Sequence, residues 1–222
     1  NDVQLRWARH LETVRLPEGL ALHEPGDAMG FAYFPTTAVV SIVYVTAEGK
    51  STELAAIGNE GLVGIELLLG GGSMPNRALV VSPGEALRLP ARLLQNEMDH
   101  AGPAAHLLLR YILVLTAQVA QSAVCNRHHS LSERLCRWLL MSLDRSQDNE
   151  IKATHRQIAF ALGVRREGVS GEAMRLQSEG LISYVRGHIE VLDRAGLEEQ
   201  VCECYGVVRN EFDRLLPHTG AT

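Results

Sequence analysis

The stretch Thr154-His155-Arg156-Gln157-Ile158-Ala159-Phe160-Ala161-Leu162-Gly163-Val164-Arg165-Arg166-Glu167-Gly168-Val169-Ser170-Gly171 governs the reading of the whole chain. Thr154 followed three residues later by Gln157 has the capping-box form, in which the two side chains satisfy the free amides at a helix start. A short apolar helix follows, Gly163-Val164 makes a turn, and Arg165 to Glu179 reads as a second helix. Two short helices joined through a glycine turn are the sequence form of a helix-turn-helix. The small Ala159 at the helix crossing, and Val164 and Val169 beneath the second helix, fit the same motif. Leu181 to Val185 and His188 to Leu192 then flank Arg186-Gly187, a β-hairpin pattern that supplies a wing. A helix entering the major groove presents its first residues to base edges, which makes Arg165, Arg166, Glu167 and Ser170 the candidate readers. Arginine pairs bidentately with guanine and glutamate accepts from cytosine. Thr154, His155, Gln157, Arg186 and His188 are the candidates for holding phosphate and setting register. The alternative use of such a module is protein contact, with the arginines merely solvated.

Moving towards the N-terminus, Ser130-Leu131-Ser132-Glu133 is another capping box and opens a helix to about Leu143, followed by a polar loop from Asp144 to Glu150. Upstream, beyond Pro103, Leu108, Ile112, Leu115 and Val119 recur at coiled-coil spacing in a long helix ending near Asn126 to His129. Periodicity alone leaves two roles open for that helix, a subunit seam or an internal core. Between Leu20 and Leu89, turn signals at Glu24-Pro25-Gly26-Asp27, Glu48-Gly49, Gly58-Asn59, Gly70-Gly71-Gly72 and Pro83-Gly84 separate short β-rich runs, notably Ala38–Val45, Ser51–Ile57, Ala78–Val81 and Ala86–Leu89. That pattern suggests an antiparallel sandwich or barrel in the form of a small β-roll.

The 222 residues suffice for one large or two modest domains, and 46% hydrophobic with 21% charged residues is ordinary globular composition. Arg110, Gln118 and Gln121 interrupt the longest apolar stretch, and Arg6, Arg9, His10 and Glu12 leave no signal-peptide core, so the expectation is a cytoplasmic protein with no membrane partner. The net charge is -5 but uneven: residues 1–125 carry 8 basic and 12 acidic side chains, residues 126–195 carry 11 and 9, and residues 196–222 carry 2 and 5. The local surplus lies where the helix-turn-helix lies, favouring a DNA partner. Arginines outnumber lysines 19 to 2 among the basic residues, and arginine forks onto phosphate or guanine where lysine is a point charge.

From about Leu16 to Leu197 the chain resembles the Crp/Fnr family of bacterial transcription regulators. The resemblance is carried by the Glu24-Pro25-Gly26-Asp27 turn, the stretch Gly58-Asn59-Glu60-Gly61-Leu62-Val63-Gly64, the long helix, and Thr154 to Ile182 with its wing. It implies an α+β fold: an N-terminal double-stranded β-helix, jelly-roll-like and related to cyclic-nucleotide-binding domains, then a long dimerisation helix, then a C-terminal winged helix-turn-helix. The domains are expected at 1–102, 103–128 and 129–197, with a helical tail at 198–222. The family implies a homodimer through the long helix, with Leu108, Ile112, Leu115 and Val119 at the interface. It also implies a palindromic site in double-stranded DNA and RNA polymerase as a candidate partner.

The resemblance places the effector pocket at Gly64, Glu66, Arg77 and Ala78. Members that bind cyclic AMP use a Gly-Glu pair and an Arg-Ser or Arg-Thr pair. This chain has Gly64-Ile65, with Glu66 displaced by one, and Arg77-Ala78. Losing a carboxylate and a hydroxyl disfavours cyclic AMP and leaves two alternatives, another small anionic effector at Arg77 or a vestigial pocket with Arg77 paired to Glu60 or Glu66. The second helix departs too, keeping Arg166 and Glu167 of the family form but carrying Gly171 where an arginine is usual. Two glycines in a helix each cost about 1 kcal/mol, so a loose helix is expected.

The remaining polar residues carry less. His128-His129 reads as a hinge cap or surface pair, and Cys202-x-Cys204 lacks the spacing and partners of a zinc knuckle, so no metal and no catalytic residue is expected. Cys125 and Cys136 flank the hinge as thiols that sense oxidants or simply pack. A rival class is a cupin-like metal enzyme, but His23 is the only histidine among the expected strands and turns of the roll. A further alternative keeps the regulator and drops the effector, leaving control to abundance alone.

Overall fold

The computed structural model describes residues 6–145 and 149–216. Part of the expected 144–150 loop and the ends of the expected first and last segments therefore lie outside the described residues. Two compact units emerge, one from residues 1–44, 55–116 and 212–222, the other from 45–54 and 117–211.

In the first unit, strands β1 (Glu12–Leu16), β3 (Phe31–Pro35) and β7 (Gly84–Pro90) form a sheet in the order β1-β7-β3. The strands β2 (Ala21–His23), β4 (Val39–Val45), β5 (Ser51–Ile57) and β6 (Arg77–Ser82) form another in the order β2-β6-β4-β5. The pairings of β1 and β3 with β7, and of β2 and β4 with β6, are antiparallel. Alternation fixes which side of each strand is buried, because successive side chains point to opposite faces. Thus Ala78 and Val80 of β6 are buried on one face, while Val40 and Val43 of β4, three positions apart and so on opposite faces, are both buried. These residues, with Ala32, Ala86 and Leu89, belong to one apolar core apart from Val43. Short helix α1 (Ile65–Leu68) and helix α2 (Ala91–Asp99) complete the roll.

Helix α3 (Pro103–His128) begins with proline at its first turn, where the missing N–H is no loss. Its Leu108, Tyr111 and Leu115 are part of the roll's core, and the Tyr111 hydroxyl donates to the Leu62 carbonyl at 3.1 Å. The helix is long and apolar enough to cross a membrane by length and composition. The expectation that its polar residues rule out a span therefore needs correcting, since so few interruptions leave the average apolar. Leu108 and Leu115 place part of that apolarity in the core, while Leu107, Leu109, Leu113, Val119 and Val124 stay exposed.

The second unit is built on α4 (Leu131–Leu143), α5 (His155–Leu162), α6 (Arg166–Ser178), and a sheet in the order β8-β10-β9 made from β8 (Glu150–Lys152), β9 (Ile182–Val185) and β10 (His188–Val191). Both expected capping boxes are present, Ser130 with Glu133 and Thr154 with Gln157, each contributing about 1 kcal/mol. Between α5 and α6, Gly163 sits at φ 64°, ψ 36°, a left-handed conformation that glycine adopts without steric penalty. Leu135, Leu139, Ile158, Val169, Leu176, Ile182 and Ile189 close the core beneath the two helices and the wing. Two further helices, α7 (Arg194–Gln200) and α8 (Cys204–Leu215), follow. The unit also includes the tip of the β4–β5 hairpin, whose Ser51 hydroxyl donates to the Phe160 carbonyl at 3.2 Å.

Candidate nucleic-acid interface and effector pocket

The exposed start of α6 gathers positive charge. Arg165 is its N-cap residue, in extended conformation, and Arg165, Arg166 and Glu167 are all exposed. Neither arginine has a salt-bridge partner among the described residues, in contrast to Arg175 on the same helix. Arg175 pairs with Glu172 at 3.0 Å and Glu179 at 2.6 Å and also donates to Gln200 at 3.1 Å. Charge at Arg175 is consumed inside the domain, whereas charge at Arg165 and Arg166 is free for an anion outside it. Arg156, in the first turn of α5, is likewise exposed and unpaired among the described residues. Met174, 66% exposed, extends the outward face of α6. Neither was singled out from sequence: Arg156 sat inside a capping box, and a methionine on a helix reads as core.

Several expected phosphate holders are bonded within the chain. Thr154 and Gln157 are bound to one another, with Gln157 Oε1 accepting from the Thr154 amide and hydroxyl, both at 2.7 Å, and the Thr154 hydroxyl accepting from the Gln157 amide at 3.3 Å. His155 Nδ1 lies 2.8 Å from the Ser170 hydroxyl, whose own proton goes to the Arg166 carbonyl at 3.1 Å. A hydroxyl has one proton to give, so Nδ1 must be the donor to Ser170. The His155 ring also stacks on Tyr184 of the wing, centroids 4.2 Å apart. Burial, helped by the Arg166 charge, holds the His155 pKa below the usual imidazole value, so the ring is neutral at pH 7 and ties α5, α6 and β9 together. Ser170 is thereby engaged in holding the helix rather than standing free for a base. His188 forms an ion pair with Glu150, which cancels its charge if it is protonated.

The wing tip keeps its expected form. Arg186 and Gly187 have φ of 50° and 89°, and His188 pairs with Val185 across them. Positive φ at both central residues is the signature of the tight type I′ hairpin turn. Arg186 is exposed and has no salt-bridge partner among the described residues. Below, Arg134 donates to the Leu162 carbonyl, satisfying the C-terminal end of α5.

In the roll, Gly64 has φ 114° and precedes α1, but α1 has only four residues, too short to act as an anion-binding dipole. Glu66 is buried and Ala78 is buried on β6. Arg77 pairs with Glu24 through Nε and Oε2 at 2.7 Å, so the expected alternatives Glu60 and Glu66 are replaced by a partner from the Glu24-Pro25-Gly26-Asp27 turn. The Glu60 carboxylate instead accepts from the Gly58 amide at 3.1 Å. Any anion at Arg77 has to share the guanidinium with a carboxylate already in place.

The expected interface residues on α3 divide. Leu108 and Leu115 are buried in the chain's own core, while Ile112 packs only partly against it. Val119 remains 36% exposed. The outward apolar residues are instead Leu109 and Leu113, 47% and 51% exposed, continued by Thr116, Ala120 and Ala123 at alternating steps of three and four. The exposed apolar stripe is thus rotated by about one residue from the one the periodicity picked out, because the roll takes the latter.

Cys136 is fully buried in the leucine-rich core, and burial pushes its pKa up to about 11, which leaves a thiol with little thiolate and no sensing role. The remaining three cysteines and His129 are brought together by the fold, contrary to the expectation that Cys202-x-Cys204 lacks partners.

Comparison with known proteins agrees with this architecture in both units. Residues 13–101 match the cyclic nucleotide-binding domain family and residues 133–200 match the Crp-like helix-turn-helix domain family. No curated protein matches the chain at a comparable level. Among solved structures, the chain is similar to FixK2 from Bradyrhizobium japonicum, with TM-score 0.76, 15% identity, and 86% of this chain and 98% of that one covered. It is also similar to a CRP/FNR-family transcriptional regulator from Thermus thermophilus, with TM-score 0.66, 25% identity, and coverage of 85% and 97%. A CRP-family regulator from the same organism gives TM-score 0.70, 22% identity, and coverage of 84% and 95%.

Proposed function

The chain belongs to the Crp/Fnr family of transcriptional regulators, and from that premise we propose that it acts as a homodimer on a palindromic DNA site, reading bases with the start of α6. The observation that carries this reading is the exposed couple Arg165 and Arg166 at the outer end of α6, without salt-bridge partners among the described residues. Arg166 and Glu167 read base edges, while Arg156, Arg165 and Arg186 neutralise phosphate. Two such helices related by a twofold axis reach successive major grooves about 34 Å apart. The partner subunit docks on the outward face of α3 through Leu109, Leu113, Thr116, Ala120 and Ala123, with Val119 at its edge. Work of this kind belongs to the cytoplasm, with RNA polymerase as the downstream partner.

Cyclic AMP is not the effector in this reading. The Arg77–Glu24 pair and the missing hydroxyl at Ala78 favour either an effector of different chemistry or control by abundance alone. Selection of bound fragments from genomic DNA, followed by gel shift on the enriched sequence across a salt series, tests the proposal. A palindromic sequence bound at least roughly a thousandfold tighter than random duplex is expected. Equal affinity for selected and random DNA, in the presence and absence of small metabolites, overturns it.

A further inference from the structure

Helix α3 ends where four soft-metal ligands converge. Cys125 and His129 stand one helical turn apart, and the segment between α7 and α8 brings Cys202 and Cys204 against them, so that the four ligand atoms lie within 4.8 Å of one another. The Cys125 and Cys202 sulfurs are 3.6 Å apart, and Cys204 Sγ is 3.5 Å from His129 Nδ1. With Zn–S near 2.3 Å and Zn–N near 2.0–2.1 Å, tetrahedral coordination requires S···S of about 3.8 Å and S···N of about 3.6 Å. These two separations therefore match a tetrahedral Cys₃His centre, and the other four, all within 4.8 Å, need only a small contraction. We propose that Cys125, His129, Cys202 and Cys204 form a structural site for zinc or another soft divalent ion, clamping the end of α3 to the junction of α7 and α8.

Ordinary packing does not account for this grouping. Cys136 shows what a packing cysteine looks like in this domain, seated among Leu135, Leu139 and Leu140 in the main core. The other three form a buried cluster composed of cysteines alone, with exposures of 1%, 4% and 0%. His129 is prepared as a ligand from the outside. Its Nε2 lies 3.3 Å from the Glu203 carboxylate, so Nε2 carries the proton and the Nδ1 lone pair faces Cys204. A carboxylate holding the far nitrogen of a ligating imidazole is the usual support of a zinc-bound histidine. Three thiolates and a divalent ion leave one negative charge, and Arg137 lies against Cys125 to balance it. With four protein ligands no position remains open for water, which makes the centre structural rather than catalytic. The proposal stands apart from the DNA-binding reading and is tested without DNA.

The full-length protein, purified with reductant and without chelator, is analysed for metal content, stripped, and titrated with Co²⁺ and then Zn²⁺. About one equivalent per chain is expected, with the visible bands of tetrahedral cobalt and an intense thiolate-to-cobalt transition in the near ultraviolet. Cys204→Ser should lose about a third of the thiolate intensity, one sulfur in three, while Cys136→Ser keeps the whole spectrum. Glu203→Ala should keep the spectrum and weaken Zn²⁺ binding roughly tenfold, acting through His129. The proposal fails if the reduced wild-type protein gives no tetrahedral cobalt spectrum, or if Cys204→Ser leaves the spectrum undiminished. It also fails if peptide mapping finds a Cys125–Cys202 disulfide forming with equimolar Zn²⁺ present, the outcome expected of a redox pair.

Discussion

Two glycines interrupt α6, and the structure assigns them opposite responses to the same substitution. A Cβ placed on Gly171 meets nothing within 4 Å, whereas one placed on Gly168 falls 2.9 Å from Leu131 Cδ2. Gly171→Ala therefore collects the full difference in helix propensity, about 0.8–1.0 kcal/mol. For a unit of this size that corresponds to a rise in Tm of about 4–8 °C. Gly168→Ala gains the same propensity but pushes Leu131 off its rotamer, at about 0.5–1.5 kcal/mol, so its net effect is close to zero. The two tryptophans make the measurement selective. Trp7 packs on Phe34 in the roll and Trp138 packs on the helix-turn-helix core. In a Trp7→Phe background, fluorescence during thermal unfolding reports the second unit alone. Gly171→Ala should stabilise and Gly168→Ala should not. A double-mutant cycle of Gly168→Ala with Leu131→Ala should reveal a favourable coupling of about 1 kcal/mol. Equal stabilisation by both glycine variants, with no coupling to Leu131, refutes the packing argument.

Arg166→Ala should narrow the gap between specific and random DNA by about 1–3 kcal/mol. Arg186→Asn should weaken both evenly and reduce the salt slope by about one, since asparagine preserves the positive-φ turn while removing the charge; gel shifts across a salt series separate the two. His155 sets a pH limit. Its folded pKa is depressed by burial and by Arg166, so the stability it contributes is fully present above the unfolded value near 6.5 and is lost as pH falls through the folded value. Denaturant midpoints measured from pH 7.5 downward should show this loss in the wild type, with a shallower one in His155→Gln. On α3, Leu113→Glu should shift sedimentation towards monomer without lowering the Tm of the roll. Leu115→Ala should instead destabilise the roll by about 2–5 kcal/mol, because its side chain fills the core.

How much of this was legible from sequence follows from the range of the interactions. The capping boxes at Ser130 and Thr154, the glycine turn and the wing are set by neighbours within a few residues, and they stand where the sequence indicates. On α3, periodicity shows that an apolar stripe exists but not what covers it, and Leu108 and Leu115 are covered by the roll. The internal bonds of His155 were not legible because its partners Ser170 and Tyr184 come from other elements. The cysteines were least legible of all: 77 positions separate Cys125 from Cys202, and no local spacing rule spans that interval.

The bare surface at Gly171 bears on how an operator can evolve. Beyond Glu167 the outward face of α6 offers a glycine and then a methionine, so in the proposed complex the middle of each half-site would meet no hydrogen-bonding fork. Sequence information should therefore be concentrated in the few base pairs under Arg166 and Glu167, leaving neighbouring positions free to drift among the promoters this protein governs.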